Sequence, residues 1–454
     1  MADVNGGNLA PDLSQRAGCA ARLERLPICN YHRWIAALLF VGWFVEGIDI
    51  SGIGFLMPLI IADLKITPQM ASYLTSATFL TMFFGSLFSG NLSDKFGRKN
   101  SLIVGMITWG VAGFALTFQQ SFTGLLLFRF LLGAGLGIQY PAAMAMISEV
   151  VPSRSRGKYM SIYQAFIPLA YGFCGLITVL VLPHFGWRGV FFIEAIPAFW
   201  FIGIKRYLPE SALWLESIGR YEEADKIVDV FEQRAAATGK PIPPVELKTR
   251  GPAGKPGKYS ELFTKKYALI MIMCVIWYPA TLMSDYGLGT WLTTLLMAKG
   301  FNVVRSTAFV SLSVLAGIPA ILFVTWGVEK LGRKWTLLIS AIMAAIFAYL
   351  YGASTTMVML IVMGAGYQFF KYSISMTNNI YTPELFETRL RATGAGFGIA
   401  CSRLGAMCGP ILLAWVMTVA GVQATFFVAA GLALLAGVTV MILGPETKGK
   451  VFNE

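Results

Sequence analysis

The sequence predicts an all-α membrane protein of twelve transmembrane helices, laid out as two six-helix bundles of the same orientation. Two observations carry this prediction: long stretches without a charged residue, and a set of motifs that returns at one constant separation. Of the 454 residues, 56% are hydrophobic and 13% charged, and the mean hydropathy is +0.64. That balance excludes an ordinary soluble enzyme. No Asp, Glu, Lys or Arg occurs from Ser101 to Phe128, Tyr159 to Trp187, Ser306 to Gly327, Trp335 to Phe370 or Leu404 to Pro445. A bilayer core of about 30 Å takes about 20 apolar residues as a helix, so each gap holds one span or parts of two. A soluble protein with buried helices would need charged outer faces, and these stretches have none.

The spans fall at 34–61, 72–93, 101–119, 122–149, 158–182, 188–208, 267–298, 304–328, 336–353, 357–381, 394–418 and 422–443. The first follows a mostly polar segment and is not trailed by a small-residue cleavage site, so it reads as a retained anchor. The net charge of +12 suggests nucleic acid until its distribution is considered. With the N-terminus inside, Lys65, Arg188, Lys299 and Arg305 lie outside, and Arg129, Lys371 and Arg403 lie within spans. All other Lys and Arg fall on cytoplasmic segments or helix ends. This is the positive-inside bias. The partner it implies is a bilayer with anionic headgroups, not nucleic acid. A multi-pass protein of the inner (plasma) membrane with both termini cytoplasmic is expected. The six cysteines show no metal-ligand spacing and read as inert thiols. No cofactor is expected.

The repeat is explicit. Asp94-Lys95-Phe96-Gly97-Arg98-Lys99 returns as Glu329-Lys330-Leu331-Gly332-Arg333-Lys334, 235 residues later. At the same offset Glu149, Arg154 and Arg156 return as Glu384, Arg389 and Arg391, and Gly186, Phe191 and Phe192 as Gly421, Phe426 and Phe427. A parallel repeat about an axis normal to the membrane follows. The expected divisions are a cytosolic segment 1–33, an N-terminal bundle 34–208, a connector 209–266, a C-terminal bundle 267–443 and a tail 444–454. Within the connector, Glu216 to Arg234 has helical periodicity, and Pro241 to Gly257 reads as linker. A separate regulatory domain is not expected from so short a stretch.

Gly90-Asn91-Leu92-Ser93-Asp94-Lys95-Phe96-Gly97-Arg98-Lys99 looks like the helix 2–3 loop signature of the major facilitator superfamily. Arg129-Phe130-Leu131-Leu132-Gly133, Pro209-Glu210-Ser211-Ala212-Leu213-Trp214-Leu215, Pro445-Glu446-Thr447-Lys448-Gly449 and Pro383-Glu384-Leu385-Phe386-Glu387-Thr388-Arg389-Leu390-Arg391-Ala392-Thr393-Gly394 resemble the branch holding sugar porters, organic-ion transporters and metabolite:proton symporters. Two departures stand out. Leu213 occupies a position where sugar porters usually carry Arg. The seventh span reads Trp277-Tyr278-Pro279-Ala280-Thr281-Leu282-Met283-Ser284-Asp285-Tyr286, without the Gln-rich pattern of hexose carriers. In the first span, Glu46-Gly47-Ile48-Asp49 is similar to the acidic-Gly-x-Asp motif of aromatic-acid:proton symporters.

A charge near the bilayer centre costs about 2.5–3.5 kcal/mol on insertion scales, so such residues should face a cavity or a partner. Glu46, Asp49, Arg129, Glu194, Asp285, Lys371 and Arg403 all lie inside spans and together imply a wet central pathway. The resemblance implies that Asp49 and Arg129 form the protonation pair. A buried Asp stays ionised beside Arg and takes up a proton when parted from it, so alternating access that separates them would move a proton. Glu46, one turn earlier, is the other candidate carrier.

Lys371 maps by the repeat onto mid-helix Leu136, with Tyr367, Ser375 and Asn378 on its face and Gln368 beside it. An ammonium so placed suits a substrate carboxylate, and the alternative is a lysine paired with Asp285. Arg403 is a second candidate cation. Trp43, Tyr140, Tyr163, Phe166, Tyr278, Tyr286, Phe370 and Tyr372, with Gln164, could line a site for a planar substrate; each alone also suits packing or the interface belt. Asp94, Arg98, Glu149, Arg154 and Arg156, with Glu329, Arg333, Glu384, Arg389 and Arg391, fall at cytoplasmic helix ends. Charge pairs there are expected to lock the two halves and break on inward opening.

These features point to a non-enzymatic, monomeric secondary transporter whose partners are a small-molecule substrate and protons. Proton-coupled import of a small organic anion, an aromatic or hydroxylated carboxylate, is the leading reading. A proton-coupled importer of a neutral polyol or sugar derivative, and a drug/proton antiporter, are the alternatives.

Overall fold

The computed structural model describes residues 18–245, 259–387 and 390–449. Part of the expected N-terminal segment, most of the linker 241–257, Arg389 and the end of the tail lie outside these. Among the described residues, twelve helices cross the molecule. In order they are α1 (Asn30–Leu64), α2 (Pro68–Phe96), α3 (Arg98–Thr117) and α4 (Phe122–Val150). The run Ser153–Ala195 breaks at Gly186 into α5 (153–185) and α6, which continues through a 3-10 turn, Ile196–Phe199, into Trp200–Tyr207. The second half holds α7 (Ala268–Ala298), α8 (Val303–Lys330), α9 (Arg333–Ala353) and α10 (Met357–Glu384). The run Arg391–Leu443 breaks at Gly421 into α11 (391–420) and α12 (422–443).

The local causes of these helices repeat with the same 235 offset. Thr67 and Asn302 cap α2 and α8, their side chains accepting from Met70 N (3.2 Å) and Arg305 N (2.8 Å). Ser121 and Thr356 do the same for α4 and α10. Each supplies an acceptor to a helix terminus that otherwise leaves its first N–H groups unpaired. Gly186 (φ 64°) and Gly421 (φ 86°) take a left-handed conformation that lets the chain turn between antiparallel neighbours. Most helices run a few residues beyond the charge-free cores, because polar residues at their ends continue the helix past the apolar layer.

The halves meet along α1 with α7, α2 with α11 and α5 with α8, as a two-fold repeat requires. Even helix number puts both ends of the transmembrane region at one end, together with the α2–α3 and α8–α9 loops. We call it the basic end. There the described residues of the connector form three helices, Ala212–Ser217, Tyr221–Ala236 and Tyr259–Leu262, instead of one. Ala224, Val228, Phe231 and Ala235 make the buried face of the longest. They share a core with Cys19, Leu23 and Leu26 of the N-terminal segment. That segment, with its helix Cys19–Glu24, is a strap. Arg22 pairs with Asp225 (3.0 Å), Asp229 (2.6 Å) and Glu232 (2.6 Å), and Arg25 with Glu232 (2.8 Å). The Glu24 carboxylate accepts from Ser153 N at the start of α5. Connector and strap therefore bury more than the linker reading expects.

Candidate functional site

Near the middle of α1, Glu46 and Asp49 are buried, at 0% and 3% exposure. Gly47 between them brings α1 against α5, since a Cβ there would stand 2.7 Å from Ala170 Cβ. The two carboxylates serve different neighbourhoods.

Asp49 belongs to a cluster made wholly by the N-terminal half. Arg129 of α4, 1% exposed, lies within electrostatic reach of both Asp49 and Glu194 and sits 5.2 Å from the ring centre of Phe191. Glu194 of α6 accepts from Cys174 Sγ at 3.0 Å. It also packs so tightly on α1 that a Cβ on Gly52 would stand 2.2 Å from its Oε2. Glu194 had no assigned role in the sequence reading; only its presence in an apolar span signalled it. Asp49, Arg129 and Glu194 all ride on the N-terminal half.

Glu46 faces the other half. Arg403 of α11 acts on it electrostatically, as does Asp49. Tyr163 of α5 lies close to Glu46, and Tyr140 of α4 is close to both Glu46 and Arg403. Trp43 stacks on Tyr163 (5.0 Å, 12°) and tilts against Tyr140 (4.8 Å), and Gln164 donates to the Tyr140 hydroxyl at 3.5 Å. Tyr286 of α7 reaches the same group, within range of Arg403, Glu46 and Asp285. Both Glu46 oxygens, Trp43 Nε1, the Tyr163 hydroxyl and Arg403 Nε are buried without a hydrogen-bond partner. Buried polar atoms are rarely left so. Such a group, shared by both halves, is what a ligand or water would complete.

Lys371 is placed differently from the open ammonium that was expected. Its Nζ pairs with Asp285 Oδ1 at 2.7 Å and lies 4.5 Å from the Tyr372 ring centre. The pair borders a cavity of about 40 Å³ between the halves, lined also by Tyr171, Tyr286 and Gln368. That volume suits a water or two, not an aromatic ring. Tyr367 reaches Ser284 O at 3.5 Å, and Asn378 Oδ1 and Gln368 Oε1 lack partners. Ser375 is exposed. Phe370 packs among Phe323, Phe347 and Phe369, Phe166 packs on Phe40, and Tyr278 bonds Thr382. These three belong to their own halves' packing.

Among the described residues, the Arg98 and Arg333 charge pairs at the basic end close inside their own halves. Arg98 bonds Glu149 (3.1 Å) and Asp94 (3.0 Å), and Arg333 bonds Glu384 (2.7 Å). The physical reason is position: each arginine opens α3 or α9 and reaches the end of α4 or α10 in its own bundle. Arg154 donates to Leu26 O at 2.7 Å and Arg156 to Val151 O at 3.5 Å. Glu329 is exposed, and Arg391 opens α11. Four residues outside the expected set complete the networks. Glu210 accepts from Lys99 N (3.0 Å), and Glu446 from Arg333 N (3.0 Å) and Lys334 N (3.1 Å). Ser211 bonds Glu149, and Thr447 bonds Glu384 (2.5 Å). A further cavity of about 830 Å³ lies under the strap, lined by Arg25, Arg154, Arg156, Glu149 and Glu216. It is remote from the buried charges.

Two repeated six-helix bundles around ionisable groups buried where the halves meet define a multi-pass membrane transporter. The chain belongs to the Major Facilitator Superfamily, whose profile matches residues 39–378 and again 311–454. It is 32% identical to the niacin transporter NiaP of Acinetobacter baylyi, over 95% of this chain and 98% of the relative. It is 27% identical to the 4-hydroxybenzoate transporter PcaK of the same organism, over 87% and 86%. The fold matches a partially occluded, inward-open xylose transporter XylE from E. coli with a TM-score of 0.72 at 15% identity, covering 92% of this chain and 100% of the other. The chain is therefore a transporter of small organic molecules and not an enzyme.

Proposed function

We propose that this transporter moves a small aromatic monocarboxylate together with protons, bound between the halves beside Glu46 and Arg403. The observation that carries the reading is the set of buried, unpartnered polar atoms there, contributed by both halves and walled by Trp43, Tyr140, Tyr163 and Tyr286. Arg403 offers a donor without a protein acceptor, whereas the Lys371 charge is already matched by Asp285. An Arg fork is well suited to a carboxylate. Nicotinic acid and 4-hydroxybenzoate, the compounds in the relatives' names, are both flat six-membered rings with one carboxylate. The buried α1 carboxylates supply proton-binding groups on the pathway.

The test is uptake by proteoliposomes with an imposed pH gradient and a panel of nicotinate, 4-hydroxybenzoate, nicotinamide and xylose. Accumulation of a carboxylate with the outside acidic, lost on adding a protonophore, is expected, with neither neutral compound accumulated. Equal uptake with and without the gradient, or transport of the neutral compounds alone, overturns the reading.

A further inference from the structure

We propose that the cavity under the strap is a binding site for a phosphate group, held by Arg25, Arg154 and Arg156, and that its occupant fastens the strap to the N-terminal bundle. The inference does not depend on which substrate is transported.

The cavity, of about 830 Å³, lies between the strap, the end of α4, the start of α5 and the first connector helix. Its volume falls within the range of about 300–1,000 Å³ usual for small-molecule sites. Six charged residues line it: Glu24, Arg25, Glu149, Arg154, Arg156 and Glu216. By count these charges cancel, but by their bonds they do not. Each carboxylate is engaged elsewhere. Both Glu24 oxygens accept from Ser153 N, at 2.9 and 3.0 Å. Glu149 takes Arg98 at 3.1 Å and Ser211. Both Glu216 oxygens accept from Cys19 N, at 3.1 and 3.2 Å.

The cations are not matched in the same way. Arg154 donates to Leu26 O at 2.7 Å and Arg156 to Val151 O at 3.5 Å. Among the described residues neither forms an ion pair with a carboxylate. Arg25 does, through Glu232, but its Nε is buried without a partner, as is that of Arg156. A backbone carbonyl satisfies a guanidinium N–H without balancing its charge. Two guanidiniums without a counter-charge, beside a third with a spare donor, call for a multivalent anion with several acceptors. A phosphate monoester carries about −1.5 to −2 charge and three strong acceptor oxygens, which arginine forks match in geometry. Arg25 belongs to the strap, whereas Arg154 and Arg156 belong to α5, so one phosphate among them ties the two together. The phosphate comes either from a soluble ion or ester or from the headgroup of an anionic phospholipid.

The experiment uses the purified full chain in two arms. In lipid-free detergent, binding of radiolabelled inorganic pyrophosphate is measured while protease cleavage between strap and α1 is followed, with potassium chloride of equal ionic strength as control. In the second arm, cleavage is compared in nanodiscs of phosphatidylcholine alone and of phosphatidylcholine mixed with phosphatidylglycerol. Saturable pyrophosphate binding should slow cleavage about tenfold at about ten times its Kd, and protection of this kind assigns the site to a soluble phosphate. Protection confined to the phosphatidylglycerol nanodiscs assigns it to a lipid headgroup. Arg156→Gln, which among the described residues gives up only the bond to Val151 O, should weaken binding about ten- to a hundredfold and remove the protection. Lys158→Gln, an exposed residue of α5 outside the cavity lining, should change neither. Absence of protection in both arms overturns the proposal, as does protection matched by chloride or an equal loss in Lys158→Gln. Pyrophosphate binding that leaves cleavage unchanged overturns the fastening of the strap. If Arg156→Gln does not fold, Arg154→Gln takes its place with the same expected loss of binding, and the wild-type contrast between pyrophosphate and chloride still decides.

Discussion

At the scale of single residues, Lys371 and Asp285 illustrate what a sequence can and cannot reveal. Both were identified as charges in apolar spans, and their pairing was an open alternative to a substrate site. The structure sets them 2.7 Å apart with only 11% and 22% of their side chains exposed. Removing one member of a buried pair leaves the other uncompensated, at about 3–5 kcal/mol, whereas replacing both can be neutral. Lys371→Gln and Asp285→Asn should therefore each lower folded yield and melting temperature, and the double variant should recover both, along with uptake. A well-folded double variant that still fails to transport would return Lys371 to the substrate site.

The strap provides a second, pH-dependent case. Hydrogen bonding to Arg22, then Arg25, holds the Glu232 carboxyl below the usual glutamate range. A depressed pKa contributes stability at pH above the unfolded value, near about 4.3. That stability is lost as pH falls through the folded value. Protease cleavage between the strap and α1 should thus rise on acidification below about pH 4.3 in the wild type. In Glu232→Gln it should already be raised at neutral pH and change less on acidification. A wild-type profile flat across that range would show that the pair does not hold the strap. Neither the strap nor the Glu194 cluster was legible in the sequence, because both depend on which helices become neighbours. Charge in an apolar run marks a residue, but periodicity alone does not tell which partner it meets.

At the scale of elements, the spans were legible because their cause is local: charge-free runs, caps and turns. The motifs Pro209-Glu210-Ser211 and Pro445-Glu446-Thr447 show where local reading stopped. They are 236 residues apart, one out of step with the 235 repeat, yet they play matching parts. Glu210 and Glu446 each cap the first N–H groups of α3 or α9, where the preceding Gly97 and Gly332 have positive φ and no side chain to do so. A carboxylate there satisfies donors and meets the positive end of the helix dipole. Glu210→Ala and Glu446→Ala should each cost about 0.5–2 kcal/mol. The two caps serve different halves and share no partner, so the double variant should add the costs within about 0.5 kcal/mol. The check is thermal unfolding in detergent. Additivity failing by far more than that would mean that the two networks touch, as the expected lock between halves requires, and not that each braces its own bundle.

At the scale of the whole molecule, the contacts between halves that are tightest lie away from the basic end. A Cβ on Gly175 of α5 would stand 1.5 Å from Ser311 Oγ of α8, and one on Gly172 2.7 Å from Leu315 Cδ2. Gly54 of α1 lies so close to α7 that its Cβ would be 3.1 Å from Gly289 O. Ser76 of α2 donates to Met407 O of α11 at 2.7 Å, and Phe79 meets Tyr286 at 4.4 Å. Small residues let helices approach in a bilayer, where apolar area itself gives little drive to associate. The structure is thus closed at the end far from the basic loops. Its opposite state requires these glycine contacts to part.

Gly175→Val puts side-chain atoms where Ser311 stands, and overpacking of this kind costs about 1–3 kcal/mol. The cost falls only on the state in which α5 and α8 touch, so the balance should shift about five- to a hundred-fold toward the state open at the far end. Thr290, 5% exposed and beside Gly54, is a suitable reporter when replaced by cysteine. The native cysteines are buried or half-buried and should give little background. Labelling of Thr290→Cys by a membrane-impermeant maleimide should be faster with Gly175→Val, and net transport slower, because return to the closed state becomes limiting. Gly431→Val, at a position with nothing within 4 Å of its Cβ, should change neither. Unaltered labelling in a folded Gly175→Val protein with normal transport would mean that the α5–α8 contact does not close the far end.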